Sequence, residues 1–267
     1  MKKLRVLPIY TIHDTDFIVD VDRQVLREAQ RPSNELSFTN DMKDMGDHYL
    51  LFYDLIEKTC YPAVHNPLTR QWVKVPPLVE LDPVGMAEKY NLSIAQLKGK
   101  TDFEVIVDQD ALDQRAEGVL PRIDIAGEEF IIDLRLQELR HAKNLHPVIS
   151  LKSFDLTSDG WKYEAFYHPV MKQVVEIDPK LTEFPDSVVR IRIPNEIGLD
   201  PVATARSYGM EERELLRRYP FQKELKAEII PLSQTHIPAL IRRNREQLQR
   251  EHREITRQIK PKHRPRI

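Results

Sequence analysis

The sequence has one cysteine, few glycines and no long apolar run, and each shortage excludes a class of protein. Cys60 alone cannot form an intramolecular disulfide or a multi-cysteine zinc site, so we expect a reducing, cytoplasmic location. Eight glycines, none in a G-x-G-x-x-G or G-x-x-x-x-G-K-[ST] pattern, argue against a nucleotide-binding loop. No apolar run approaches the roughly 18–20 residues that span a bilayer, so we expect no membrane partner.

Charge is unevenly distributed along the chain. The net charge is −2, yet residues 241–267 contain ten Lys or Arg and three Glu, a net charge of +7. The first 240 residues therefore carry −9. An acidic body followed by a basic segment is typical of a protein with an interaction tail.

Two stretches of the sequence repeat each other in order. Between Leu7–Ala29 and Leu120–Ala142, ten of 23 positions are identical at an offset of 113 residues. The offset has grown to 118 where Leu81–Val84 matches Leu199–Val202, and small loop insertions explain this growth. A repeat of this length indicates whole modules rather than a solenoid.

The repeat predicts an α+β chain of two tandem homologous modules, 1–119 and 120–240, followed by a basic helical tail, 241–267. Each module is predicted to be an antiparallel sheet with a short helical hairpin, and short apolar or alternating runs mark the strands. The predicted strands are Ile9–Ile12, Phe17–Val21, Leu36–Phe38, Tyr49–Tyr53 and Trp72–Val75 in the first module, and Ile123–Ile125, Phe130–Leu134, Ile149–Leu151, Trp161–Tyr167 and Val188–Ile193 in the second.

The helices begin at matching positions. Asp82-Pro83 and Asp200-Pro201 each place a capping acid before a proline that suits the first helical turn. Asn91 and Gly209 suit left-handed C-caps. The second helices of the hairpins are predicted at Ser93–Lys98 and Glu211–Arg218, with a further strand at Glu104–Val107 and a helical linker at Ala111–Ala116.

Few residues suggest catalysis or metal binding. His13-Asp14-Thr15-Asp16 offers an imidazole and two carboxylates as metal ligands, but we interpret it as a polar hairpin turn because its counterpart is Ala126-Gly127-Glu128-Glu129. Cys60 has no recognisable base near it in sequence, so we interpret it as structural. No catalytic residue, metal site or cofactor is predicted.

Asp20 and Asp133 are unusual because they lie in apolar strands at matching positions. They are either functional acids or partners of Arg27 and Arg140 within their own modules, and we favour the ion pairs.

Helical hairpins can also be helix-turn-helix motifs that bind DNA. Met86–Leu97 has the apolar spacing of that motif, and Ala205–Leu215 repeats it. The second copy begins its second helix with Glu211-Glu212, which would repel phosphate. We therefore favour hairpins that pack on the sheet, with groove binding as the alternative.

The tail is predicted to be helical from Ile241 to Ile259 and extended beyond it. Leu248, Ile255 and Ile259 lie at spacings of seven and four, which places them on one stripe of the helix. Its cations are candidate phosphate ligands. The candidates are Arg242, Arg243, Arg245, Arg250, Arg253, Arg257, Lys260, Lys262, Arg264 and Arg266. Alternatively the tail is solvated, or docks on the acidic body.

Several motifs resemble an uncharacterised family of duplicated bacterial proteins associated with conjugative or mobile elements. They are Phe17-Ile18-Val19-Asp20-Val21, Tyr49-Leu50-Leu51-Phe52-Tyr53-Asp54, Leu81-Asp82-Pro83-Val84-Gly85-Met86-Ala87 and Ile241-Arg242-Arg243-Asn244-Arg245. The resemblance implies partners in DNA transfer or maintenance and brings no catalytic residues.

The sequence thus favours a non-catalytic accessory or scaffolding protein that binds a protein partner. Sequence-independent binding of nucleic acid by the tail is the first alternative, and an enzyme of unidentified class is the second.

Overall fold

A computed structural model describes residues 5–61 and 67–259, with side chains as far as Ile255. Helices and four antiparallel sheets in this part of the chain confirm the α+β class. The chain divides into two compact units. Unit 1 runs to Asp113 and adds Arg213–Pro220, whereas unit 2 takes Gln114–Glu212 and the chain from Phe221 onward. The helical segment after Glu212, assigned by sequence to the second module, therefore belongs to unit 1.

Two antiparallel sheets form most of unit 1. The four-stranded sheet contains β1 (Ile9–Ile12), β2 (Thr15–Asp20), β3 (Val25–Glu28) and β4 (Glu35–Ser37) in that order, and the three-stranded sheet contains β5 (Met42–Asp44), β6 (Tyr49–Asp54) and β7 (Arg70–Val75). Burial alternates along β2, where Phe17 and Val19 are buried, as the sequence pattern predicts for a half-buried strand.

Short helices follow β7. They are α1 (Leu78–Leu81), α2 (Pro83–Tyr90), α3 (Ile94–Leu97), α4 (Asp102–Ile106) and α5 (Gln109–Ala116). The predicted strand at Glu104–Val107 is wrong, because this segment forms α4. Thr101 caps that helix and Glu104 bonds back to the Thr101 backbone N–H, so a capping box overrides the β-branched residues that follow.

Unit 2 also contains a four-stranded sheet, a second antiparallel sheet and helices. Its four-stranded sheet is built from β8 (Arg122–Ile125), β9 (Glu128–Asp133), β10 (Glu138–His141) and β11 (Val148–Ser150), and its five-stranded sheet from β12 (Asp155–Leu156), β13 (Lys162–His168), β14 (Gln173–Val174), β15 (Val189–Pro194) and β16 (Glu228–Ile230). Helices α6 (Glu196–Leu199), α7 (Pro201–Tyr208) and α9 (Ile237–Ile259) belong to unit 2, whereas α8 (Glu212–Arg218) belongs to unit 1 from Arg213 onward. Single 3-10 turns lie at Pro67–Thr69, Leu151–Ser153 and Leu232–Gln234.

The strand registers of the two four-stranded sheets recur 113 residues apart. Tyr10 pairs with Phe17 in unit 1, and Ile123 pairs with Phe130 in unit 2. The remaining pairs of β1 to β4 recur in β8 to β11 at the same offset. This agreement supports the offset found in the sequence, and the duplication itself stays a prediction.

Residues at matching positions of the two halves of the sequence are buried in both units. Phe17, Tyr53 and Phe130 are fully buried, as is Tyr167. Ala205 is also fully buried, and its counterpart Ala87 is 9% exposed. The two halves therefore build their cores from the same positions.

The expected ion pairs within the sheets are confirmed. Arg140 approaches Asp133 to 2.6 Å in unit 2, and Arg27 lies 3.9 Å from Asp20 in unit 1. Asp133 also accepts a hydrogen bond from the backbone N–H of Leu136, so its carboxylate holds the turn that follows β9. A structural role accounts for both acids.

A second set of buried carboxylates caps the longer helices. Asp82 accepts a hydrogen bond from Gly85 N, and Asp200 accepts one from Ala203 N; each acid is only 1% exposed. Each also binds an arginine through two hydrogen bonds. Arg5 lies 2.5 Å from Asp82, and Arg115 donates to Asp200 at 3.3 and 2.7 Å. The paired charges make burial of these caps tolerable.

We predict that Arg115→Met lowers the free energy of unfolding by about 3–5 kcal/mol, because it leaves the Asp200 carboxylate buried without its cation. Arg122→Met removes an exposed arginine that pairs with Glu129 and should cost at most about 1 kcal/mol. Urea denaturation of both variants measures the difference.

The double variant Arg115→Met/Asp200→Ser should recover part of the loss, because serine still caps Ala203 N without a buried charge. A double variant less stable than Arg115→Met alone would contradict this account.

Candidate functional site

No group of three or more His, Cys, Asp or Glu side chains in residues 5–61 and 67–259 is placed to hold a metal ion. His13 and Asp14 form the turn between β1 and β2, and Asp14 pairs with Lys58. The polar hairpin is therefore a turn, as the sequence predicted.

Cys60 is buried and unreactive. It is 7% exposed, and burial raises the pKa of its thiol to about 12. Thr59 and Cys60 lie in a bend. Because the thiolate is the nucleophilic form, this thiol is structural at neutral pH.

The hairpin helices do not present a surface for reading bases in a DNA groove. Helix α3 has only four residues, too few for a recognition helix. The cations of α8 are used within unit 1, since Arg217 is 5% exposed and donates to the carbonyl oxygens of Thr39 and Met42. Arg213 lies over the ring of Phe103 at 4.4 Å. These contacts favour helices that pack on a unit, and α8 packs on unit 1 rather than on the sheet of the second module.

The first two turns of the C-terminal helix α9 are anchored in unit 2. Ile237 and Ile241 are buried and form a small apolar cluster with Leu232. Asn244 donates two hydrogen bonds, to Pro179 O at 2.8 Å and to Leu181 O at 2.9 Å. The helix thus begins four residues before the predicted Ile241.

Beyond its anchor, the helix is solvent-exposed. Every residue from Arg245 to Ile255 is exposed, including Leu248 at 53% and Ile255 at 54%. These two continue the line of the buried Ile241 at intervals of seven residues. An apolar stripe therefore runs from the core of unit 2 onto an uncovered helix face.

Four of the candidate arginines share the opposite face. At 3.6 residues per turn, Arg242, Arg243, Arg250 and Arg253 fall within an arc of about 100°, on the side away from Leu248. Glu246 lies on the same arc and lowers its charge. The segment from 246 to 255 has two Arg and three Glu, so its net charge is not positive. Its arginines form a cationic face only because they lie on one side of the helix.

The remaining candidates divide into two groups. Arg245 lies beside the apolar stripe and donates to Thr182 O at 2.5 Å, so its guanidinium helps to anchor the helix. Arg257 lies in α9, but its side chain is outside the described residues. The other candidates also lie outside the described residues: Lys260, Lys262, Arg264 and Arg266.

The sequence missed the anchor itself. Ile237 stands four residues before Ile241 and extends the apolar stripe by one turn, a signal that was available. The carbonyl oxygens of residues 179–182 that accept these hydrogen bonds gave no sequence signal, because every residue has a backbone oxygen.

Comparison with known proteins gives no guide to the site: no family model, curated protein or solved structure matches this chain. None of the helices among the described residues is long and apolar enough to cross a membrane.

We predict that Cys60 reacts slowly with a disulfide reagent in the native protein at pH 8, since a thiol pKa of about 12 leaves about one thiolate in ten thousand. The rate should rise by orders of magnitude in denaturant, and absorbance of the released thiolate measures it. A native rate close to that of the unfolded chain would show that Cys60 is accessible and activated.

Proposed function

We propose that the protein is a non-catalytic accessory or scaffolding protein that binds a protein partner through helix α9. The observation that carries this proposal is the apolar stripe of Leu248 and Ile255, half-exposed on a helix whose first turns are fixed in unit 2. Because each side chain is about half exposed, burying it contributes roughly 1–1.5 kcal/mol to association.

The geometry favours a helix or a helix-binding groove as the partner's surface. Ile241, Leu248 and Ile255 repeat every seven residues, which keeps one seam facing a neighbouring helix. Polar residues border the seam, since Asn244 and Glu251 occupy positions next to it on one side. Anchoring of Asn244 and Arg245 fixes the base of the helix, which lowers the entropy lost on binding.

A photo-reactive amino acid placed at Leu248 or at Ile255 should form a covalent adduct with a protein partner in cells that produce the chain. The matched control position is Glu246, which lies on the opposite face of the same exposed turns. We expect adducts at the two apolar positions and few at the control, and mass spectrometry identifies the species joined.

Equal adduct yields at Glu246 and Leu248 would contradict a specific apolar seam. Adducts containing only a second copy of this chain would replace the partner with self-association, which light scattering of the purified protein would confirm.

A second candidate function is sequence-independent binding of nucleic acid by the arginine face, in DNA transfer or maintenance. The observation in its favour is the sorting of Arg242, Arg243, Arg250 and Arg253 onto one arc. The resemblance to proteins of mobile elements supports the same partner. Phosphate contacts supply affinity without base choice, so one helix face suffices.

For this function we predict that Arg250→Gln/Arg253→Gln reduces the slope of log affinity against log salt by roughly 1.8, since each phosphate contact contributes roughly 0.9. A duplex of mixed sequence, titrated at several salt concentrations, measures the slope. The control Arg23→Gln/Arg122→Gln removes the same charge from exposed sites outside α9 and should leave the slope unchanged. Equal losses in both variants would mean general charge attraction.

A further inference from the structure

Unit 2 contains a cavity of about 710 Å³ between helix α7 and the turn that joins β9 to β10. Leu134 and Arg135 line it from the turn, and Ala203, Thr204 and Ser207 line it from the helix. This volume is in the range of small-molecule sites. The cavity is independent of helix α9 and of the function proposed for it.

Small residues on α7 explain why the space is open. In unit 1, at the corresponding position of α2, Met86 is fully buried, where unit 2 has Thr204. Lys89 of unit 1 stands where unit 2 has Ser207, and its ammonium donates to Val21 O at 2.8 Å and Asp22 O at 3.0 Å. Unit 1 therefore bridges helix and turn with a lysine, and unit 2 does not.

The acids that line the cavity are already neutralised or engaged. Arg115 binds Asp200 through two hydrogen bonds, and Arg140 binds Asp133 at 2.6 Å. The carboxylate of Glu196 accepts hydrogen bonds from the hydroxyl groups of Tyr163 and Tyr208. These carboxylates therefore have little capacity left to attract a cation.

Guanidinium donors remain available at the same place. Arg135 lines the cavity and has no hydrogen bond or ion pair with any residue that the structure describes. Arg140 uses its Nη2 for Asp133, which leaves its Nη1. Arg206 uses its Nε for Glu212, which leaves its two terminal nitrogens. Three arginines with spare donors border one cavity.

We propose that this cavity binds a small organic anion, whose carboxylate or phosphate group accepts hydrogen bonds from Arg135, Arg140 and Arg206. Its apolar part packs against Leu134 and Ala203. Planar guanidinium groups suit either oxyanion, because they donate two parallel hydrogen bonds.

The proposal is tested on the full chain with two probes, glutarate and inorganic phosphate, at constant ionic strength. A bound anion stabilises the folded state, so the thermal midpoint should rise with probe concentration. Arg135→Gln should weaken binding about tenfold, the effect of losing one charged hydrogen bond. Arg122→Gln removes an equal charge from an exposed strand residue and should bind as the native chain does.

Filling the cavity gives a second, ligand-free test. Ser207→Glu should place a carboxylate among the arginines, raise the midpoint above that of Ser207→Gln and abolish the response to both probes. A response to phosphate alone would assign the site to phosphate groups, and a response to glutarate alone to carboxylates. A midpoint that neither probe moves, or that moves equally in Arg135→Gln and Arg122→Gln, overturns the proposal.

Discussion

Each unit depends on a buried carboxylate that serves a helix and an arginine at once. Asp82 and Asp200 each accept a hydrogen bond from a backbone N–H in the first turn of a helix. Without Arg5 or Arg115, each carboxylate would be an isolated buried charge. The pairs join residues 77 and 85 positions apart in sequence. Each pair therefore joins the chain segment before the first strand of its unit to the helix that the buried acid caps. The sheets give each unit its core, and these pairs hold the helix in place.

The two arginines pair with corresponding acids from different sequence positions. Arg5 lies just before β1, whereas Arg115 lies near the end of α5, seven residues before β8. The repeat offset of 113 maps Arg5 onto Gly118, so alignment of the halves misses the correspondence. Selection for a partner to the buried acid would explain such a shift, because any arginine that reaches the carboxylate meets the electrostatic requirement.

Sequence reasoning located features whose signal is local. The Asp-Pro caps, the left-handed residues at Asn91 and Gly209 and the ion pairs of Asp20 and Asp133 follow from neighbouring residues or from the repeat. It missed β3 and β10, where charged residues interrupt any apolar run, and it also missed β5, β12, β14 and β16. It also missed the cavity, since an empty space arises from residues brought together by the fold.

The sorting of residues around α9 is difficult to explain by folding alone. A helical segment of this length is marginal in water, so its stability comes from the anchored first turns and from pairs four apart, such as Gln247 with Glu251. Neither contribution requires Leu248 and Ile255 to be apolar, and exposing them to water brings the monomer no gain. An alternating polar sequence would serve the isolated helix equally well. We infer that the stripe, which continues the buried line of Ile241 beyond the anchored turns of α9, is covered by another surface.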